Sequence, residues 1–324
     1  MRYTFAVFVF ALAFAAAACS RTTTGAALEA NPTQTPEAAA ANLSTDRLAA
    51  TPRQAGDSYY RQGADAVAAR AADRTVGQAR NLILFVGDGM GVSTVTAARI
   101  YAGQRRGLDG ESFRLAMDKM PHLALAKTYS HNGQVSDSAA TATAMVAGVK
   151  TNLRTLGVTQ AASFSNCASI EGNTTDTLFE LAERSGLSTG IVSTARITHA
   201  TPASTYAKTP HRDWEDDTAF DGEVPETCKD ISSQLLGWDA GDGFEIALGG
   251  GRRHFLPAEL ADPEYPETTG RRGDGRNLME EWSALSDAHV TVTDQAGFDR
   301  LDFNSDIRVL GLFEPSHMQY DLDR

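Results

Sequence analysis

Cysteine is scarce in this chain, and so is positive charge. There are only three cysteines in 324 residues. Cys19 sits at the end of an apolar leader, which leaves Cys167 and Cys228 as one pair. In an exported protein such a pair either bridges or stays as two buried thiols. Lysine and arginine number 29 against 41 acids, a net charge of -12. That balance argues against a general binder of nucleic acid or of anionic membranes. An anionic substrate would then need a local device, such as a metal or a positioned arginine. Two sequence signatures are also missing. The stretch GDGMG lacks the G-x-G-x-x-G spacing of a dinucleotide loop, and its acid would repel a pyrophosphate. No G-x-S-x-G elbow occurs, which argues against an ordinary α/β-hydrolase triad. No internal repeat is found.

What is present suits a large α/β protein. The hydrophobic share is 42%, enough for a sizeable core. Met1 to Ala18 reads as a signal peptide, with Arg2 ahead of the run FAVFVFALAFAAAA. That run is too short for a comfortable transmembrane span. The stretch Ala16-Ala17-Ala18-Cys19 permits either simple cleavage or lipidation of Cys19, and both put the mature protein outside the cytoplasm. Residues 19–56, rich in Ala, Thr, Pro and Asn, read as a disordered tether. Residues 57–79 carry Tyr60, Ala64, Val67, Ala68 and Ala71 at helical spacing.

The domain proper, 57–324, alternates strand and helix signals. Asn81–Gly87 is a continuous apolar run, expected to be a central parallel strand buried on both faces. A Gly-rich turn and a helix over Ser93–Tyr101 follow. Further strands are expected at Leu123–Tyr129, Leu187–Thr194, Phe244–Leu248, Val290–Thr293 and Ile307–Phe313. Helices are expected at Ser138–Ala147, Thr175–Arg184 and Asn277–Leu285. In the second of these, Leu178, Phe179, Leu181 and Ala182 are expected on the buried side. The pattern predicts a mostly parallel central sheet with helices on both faces, with sites at the carboxyl ends of strands.

Four stretches could carry chemistry. Asp88 ends the first apolar run between Gly87 and Gly89, and a carboxylate there is costly unless paired or bound to a cation. The bland reading is a turn or capping Asp. Ser138 opens a helix after Asp137. It is either an ordinary cap or a hydroxyl whose alkoxide and phosphate the helix terminus favours. His199 and Thr201 lie two apart and could face one way, serving a hard cation directly or through water. Alone, a residue such as His199 is more often a hydrogen-bonded structural histidine. Arg212, in His211-Arg212-Asp213-Trp214, is either a fork for phosphate oxygens or a surface ion pair.

Together these segments resemble alkaline phosphatase. The blocks NLILFVGDGMGVSTVTAARI, VSDSAATATAMVAGVKTN, THATPASTYAKTPHRDW, ALGGGRRHF and LGLFEPSHMQYDLDR carry the resemblance, in the family's order, from about Asp57 to Arg324. It implies a homodimeric phosphomonoesterase with two zinc ions and one magnesium per subunit. Ser138 becomes the nucleophile, and Arg212 the phosphate clamp oriented by Asp137. Asp88 bridges magnesium and one zinc, Thr201 is a magnesium ligand, and His199 sits in or beside that shell. Cys167 and Cys228 match a disulfide found in one branch. That branch also carries a calcium site, matched by Glu264, the Phe313 carbonyl and Glu314. Phosphate monoesters become the substrates and nucleic acid is not a partner. Location is periplasmic, with a membrane tether if Cys19 is acylated.

The family's remaining ligands belong to a later segment: a magnesium Glu, an Asp-and-His zinc run, an Asp-His pair and a last His. None has a counterpart here, since His199 is the only one of seven histidines in a matching ligand motif. The resemblance therefore implies an N-terminal portion, with little phosphatase activity by itself. Two alternatives stay open: a phosphodiesterase or sulfatase of the same superfamily, and an exported binding protein without catalysis.

Overall fold

A computed structural model describes residues 58–72, 81–220 and 228–323. Residues 78–324 form one compact unit, and helix α1 (Ser58–Ala72) belongs to another, 1–77. The leader, Cys19 and the proposed tether lie outside the described residues.

The larger unit is built on four parallel strands: β1 (Gly190–Arg196), β2 (Ile246–Gly250), β3 (His289–Val292) and β4 (Arg308–Leu312). Their order is β1-β2-β4-β3. Gly190 to Val192 pair with Ile246 to Leu248, Ile246 to Gly249 with Val309 to Leu312, and Val290 with Val309. The strand expectations for these four hold to within about three residues at each end. Strands β2 and β4, at the centre, are the most thoroughly buried, as parallel strands covered on both faces should be. Their Ala247, Leu310 and Leu312 form the core together with Tyr206, Phe244 and Trp282.

Helices α2 (Val92–Gln104), α3 (Ser138–Ala147), α4 (Leu178–Arg184), α5 (Ala200–Ala203), α6 (Ile231–Leu236), α7 (Leu278–Ala284) and α8 (Gln295–Asp299) complete the elements used below. The short α5, α6 and α8 have too few residues to show a period, and the sequence reading passes over them. Helix α3 packs against α5, and α5 against β1. Each helix carries small buried residues, Ala139 and Ala142 on one, Ala200 and Ala203 on the other, and Ala139, Ala200 and Ala203 belong to one core cluster. Small side chains permit the close approach that brings the start of α3 up to the segment after β1.

Three expectations are corrected. Asn81–Gly87 is not a strand: the segment pairs with no neighbour among the described residues, and its apolar side chains are exposed, Phe85 at 86%. Leu123–Tyr129 is likewise unpaired, with Leu125 at 95%. Hydrophobicity marks a segment that can be buried, but a ladder needs a partner distant in sequence, and no run encodes its own partner. At the outer edge of β1, where Val192 is exposed, no strand lies beside it among the described residues. In α4, Leu178 and Leu181 are exposed while Glu180 and Glu183 are buried. Glu180 accepts from the Thr177 N–H at 2.6 Å in a capping box, and pairs with Lys208 at 3.0 Å. Glu183 accepts from the Thr189 hydroxyl. Polar partners on the core side thus turn the helix against its apolar period.

Cys167 and Cys228 form a disulfide, with Cα atoms 5.8 Å apart, which decides between the two readings of the pair.

Candidate functional site

The local sequence builds the site one turn at a time. Asp137 caps α3, its carboxylate accepting from the Ala139 and Ala140 amides at 3.2 and 3.4 Å. Gly148, at φ +71°, ends the helix in the left-handed conformation. Ser138 is therefore the first helical residue, beside the open amides and positive end of the helix.

The loop after α3 then runs beside the loop carrying Arg212. Leu156 and Thr209 form an antiparallel bridge, and the Arg212 N–H donates to the Arg154 carbonyl at 2.9 Å. This short pairing brings Arg212 to the helix. Its Nη1 donates to Asp137 Oδ2 at 2.9 Å and to Ser138 Oγ at 2.8 Å, and its Nη2 to His199 Nε2 at 3.0 Å. One guanidinium thus joins residues from two other stretches that the sequence marked, Asp137-Ser138 and His199. Burial alone would raise the Asp137 pKa, but the Arg154 N–H, Arg212 and the Ala140 N–H outweigh it and hold the carboxyl below its ordinary value.

His199 is pushed down to about 4, first by burial and then by the charges of Arg212 and Arg196. It is neutral near pH 7, so Nε2 can accept from Arg212 and the proton resides on Nδ1. That Nδ1 is buried with no hydrogen-bond partner. The arrangement suits an acceptor, such as a water in a cation's shell, better than direct ligation by His199.

Thr201 and Asp88 also meet. The Thr201 hydroxyl donates to Asp88 Oδ2 at 2.9 Å. Asp88 sits in a tight turn, with Gly89 at φ +66° and the Met90 N–H donating to the Gly87 carbonyl. Asp88, Thr201, Asp137 and Ser138 line one cavity of about 660 Å³, together with Lys150. The strand-end acid and the helix-start alcohol lie on the same opening, although the segment before Asp88 is no strand.

The donors decide which cations fit. One carboxylate and one hydroxyl, with room for water, suit magnesium, which keeps several waters and takes few protein ligands. Zinc normally takes three or four protein ligands. Among the described residues no group of three or more His, Cys, Asp and Glu could hold a metal ion, so they do not complete a zinc site. On another face, Glu264 accepts from Arg252 Nη2 at 3.1 Å. Glu314 is raised by burial, and the Glu264 charge adds to the rise. A carboxylate raised in this way, with a second beside it, gains from a shared cation such as calcium.

Glu215, Arg196 and His317 are part of this region and no sequence signal marked them. Arg196 forks onto Glu215 at 2.8 and 2.7 Å and donates to His317 Nε2 at 2.8 Å, and the His317 ring stands 5.2 Å from that of His199. His317 comes from the block after β4 and Arg196 from the end of β1, more than 120 residues away. Only the fold joins them.

Burial would raise Glu215, but Arg196, His254 and Thr198 hold it near 2, below its ordinary 4.5. Asp216 is held near 2, below 3.8, by His254, Thr218 and Arg271 against its own desolvation. Depressed carboxylates stabilise the fold above their unfolded pKa values, and that stability is lost as pH falls toward the folded values. The urea midpoint should therefore drop steeply between about pH 4.5 and pH 2. Glu215→Gln should flatten the drop, and a variant curve parallel to the parent's would remove Glu215 as a cause.

Comparison with known proteins places the chain in a family. Residues 79–324 match the alkaline phosphatase family. An alkaline phosphatase of Gadus morhua is 44% identical over 254 residues, covering 76% of this chain and 53% of its own length. The tissue-nonspecific isozyme of Gallus gallus is 42% identical over 293 residues, covering 84% of this chain and 54% of its own. The chain thus spans about half the length of the curated relatives it matches. The crystal structure of Thermus thermophilus alkaline phosphatase superposes with a TM-score of 0.55 at 28% identity, over 74% of this chain and 41% of that one. A match over more than three-quarters of the residues, together with the blocks that carry Asp88, Ser138, Thr201 and Arg212, means that this chain belongs to the alkaline phosphatase family.

Proposed function

We propose that this chain carries the nucleophile half of a metal-dependent phosphomonoesterase. The contact of Arg212 with Ser138 Oγ, Asp137 and His199 at once is the observation that supports it most. Ser138 Oγ gives up its proton and attacks the phosphorus of a phosphate monoester; the ester P–O bond breaks, the alcohol leaves with a proton, and Ser138 is phosphorylated. Water then releases phosphate and regenerates the hydroxyl. Arg212 clamps two phosphoryl oxygens through its planar fork, and Asp137 keeps that fork aimed. The amides and dipole at the start of α3 favour the alkoxide and the bound phosphate. Asp88 and Thr201 would hold a magnesium ion, with His199 nearby, and that ion would supply positive charge against the transferring group. Zinc binding at Asp88 and Ser138 belongs to a protein with the relatives' full length. Calcium is the proposed occupant beside Glu264, Phe313 and Glu314. Export by the leader, tethering through Cys19 and pairing into a homodimer complete the proposal.

A substrate panel tests the reaction. A protein of the relatives' full length, given zinc and magnesium, should hydrolyse a phosphate monoester far faster than a diester or a sulfate ester. The 324-residue chain alone should show little or no turnover. Preference for the diester or sulfate ester would move the protein to another reaction of the superfamily. Turnover by the short chain at the full-length rate would show that the described donors suffice.

A further inference from the structure

We propose that Arg154 sets substrate preference at this site, favouring phosphates that carry a second negative group beyond the transferred phosphoryl; this rests on the phosphate-site reading above. The backbone of Arg154 is unusual. Its φ is +64°, in the left-handed region that glycine occupies cheaply and a long side chain does not. Two hydrogen bonds hold it there. Its N–H donates to Asp137 Oδ1 at 3.0 Å, and its carbonyl accepts from the Arg212 N–H at 2.9 Å. Arg154 is thus wedged between the residue that caps Ser138 and the residue that grips it. Glycine would make the same two bonds with less strain, so the backbone alone does not call for arginine.

The side chain has a clear place. Arg154 Nη2 pairs with Asp213 Oδ2, and Asp213 Oδ1 lies 3.6 Å from Arg212 Nε. Two guanidinium groups therefore flank one carboxylate. They differ in exposure: the Arg212 side chain is 16% exposed and that of Arg154 is 48%. Arg212 is the inner cation, on Ser138. Arg154 is the outer one, closer to solvent. Its guanidinium stands 5.4 Å from the Phe164 ring, which limits its swing. A guanidinium has five N–H donors. Its contact with Asp213 leaves donors for a second anion, either phosphate or carboxylate.

Inorganic phosphate and pyrophosphate separate the two cations. Phosphate can use Arg212 alone, while pyrophosphate reaches outward to Arg154. The chain is titrated with each anion by calorimetry at fixed ionic strength. Arg154→Gly keeps the left-handed backbone and both of its hydrogen bonds while removing the cation. It should weaken pyrophosphate about fivefold, the worth of one partly solvated charge at contact, and leave phosphate within about twofold. Arg154→Lys should restore most of the difference. An unchanged ratio between the two anions in Arg154→Gly, or equal weakening of both, overturns the assignment while leaving the phosphate site intact. Failure of the unmutated chain to bind either anion overturns the phosphate site itself, and this inference with it.

Discussion

Ser138→Ala, in a protein of the relatives' full length, should abolish the phosphoenzyme and lower turnover by a factor on the order of 10⁴ or more, as loss of a covalent nucleophile does. The prediction follows from where Ser138 sits. It is the first residue of α3, its hydroxyl accepts from Arg212 Nη1 at 2.8 Å, and it shares a cavity with Asp88. Alanine favours the helix interior and preserves the Asp137 cap, so the fold should be unaffected. Acid quenching after a brief exposure to a labelled monoester should trap label on the parent protein and none on the variant. Arg212→Ala makes a useful contrast. It removes the clamp and leaves the nucleophile, so labelling should persist at a rate lowered by a factor of about 10² to 10³. It also strips Asp137 and His199 of their shared partner, so the site should loosen as well as weaken. Unimpaired steady-state turnover in Ser138→Ala would refute the nucleophile assignment, whatever the fate of Arg212.

The sequence was most informative where a local device fixes the geometry. Asp137-Ser138 followed by small residues announces a capped helix, and the helix runs over the predicted Ser138–Ala147. His199 and Thr201 do not share an extended segment, as their spacing suggested: His199 is the N-cap of α5 and Thr201 lies within it, and each meets a different partner, Arg212 and Asp88. Legibility fails where the cause is non-local. Phe85 and Leu125 look like core residues until one asks which strand would pair with their segments, and no local pattern answers that. Glu180 looks like a solvent-facing acid until Thr177 and Lys208 supply its partners. Glu215 lies three residues past Arg212 in an acidic loop, and nothing in that loop distinguishes it from Asp213 or Asp217. Arg196 makes the difference, and it arrives from the far end of a strand.

Arg252→Ala should produce the largest loss of stability among single changes near the calcium candidate, about 3–5 kcal/mol, because it leaves a buried carboxylate unpaired. Arg252 follows Gly251, whose φ of +101° turns the chain sharply after β2 and sends the arginine inward. The side chain is fully buried. Its Nε and Nη2 fork onto Asp262 at 2.8 and 2.6 Å, its Nη1 donates to the Leu312 carbonyl at 2.8 Å, and its Nη2 also reaches Glu264. Asp262 is as buried as its partner. Burial would raise its pKa, yet Arg252 and the amides of Glu264 and Tyr265 hold it below the ordinary value. Alanine would leave that carboxylate to be neutralised or hydrated, and would add a cavity at the end of β4. Urea unfolding followed by fluorescence should show the midpoint falling with little change in slope. The double variant Arg252→Ala, Asp262→Asn should lose less than the two single changes added together, since each single change strands the other partner. Calcium gives a further check. Among the described residues Arg252 alone forms ion pairs with Asp262 and Glu264, so added calcium should recover more stability in Arg252→Ala than in the parent. A single-variant loss under about 1 kcal/mol would mean that water or a rearranged loop satisfies Asp262, and that the ion pair contributes no more than an exposed one.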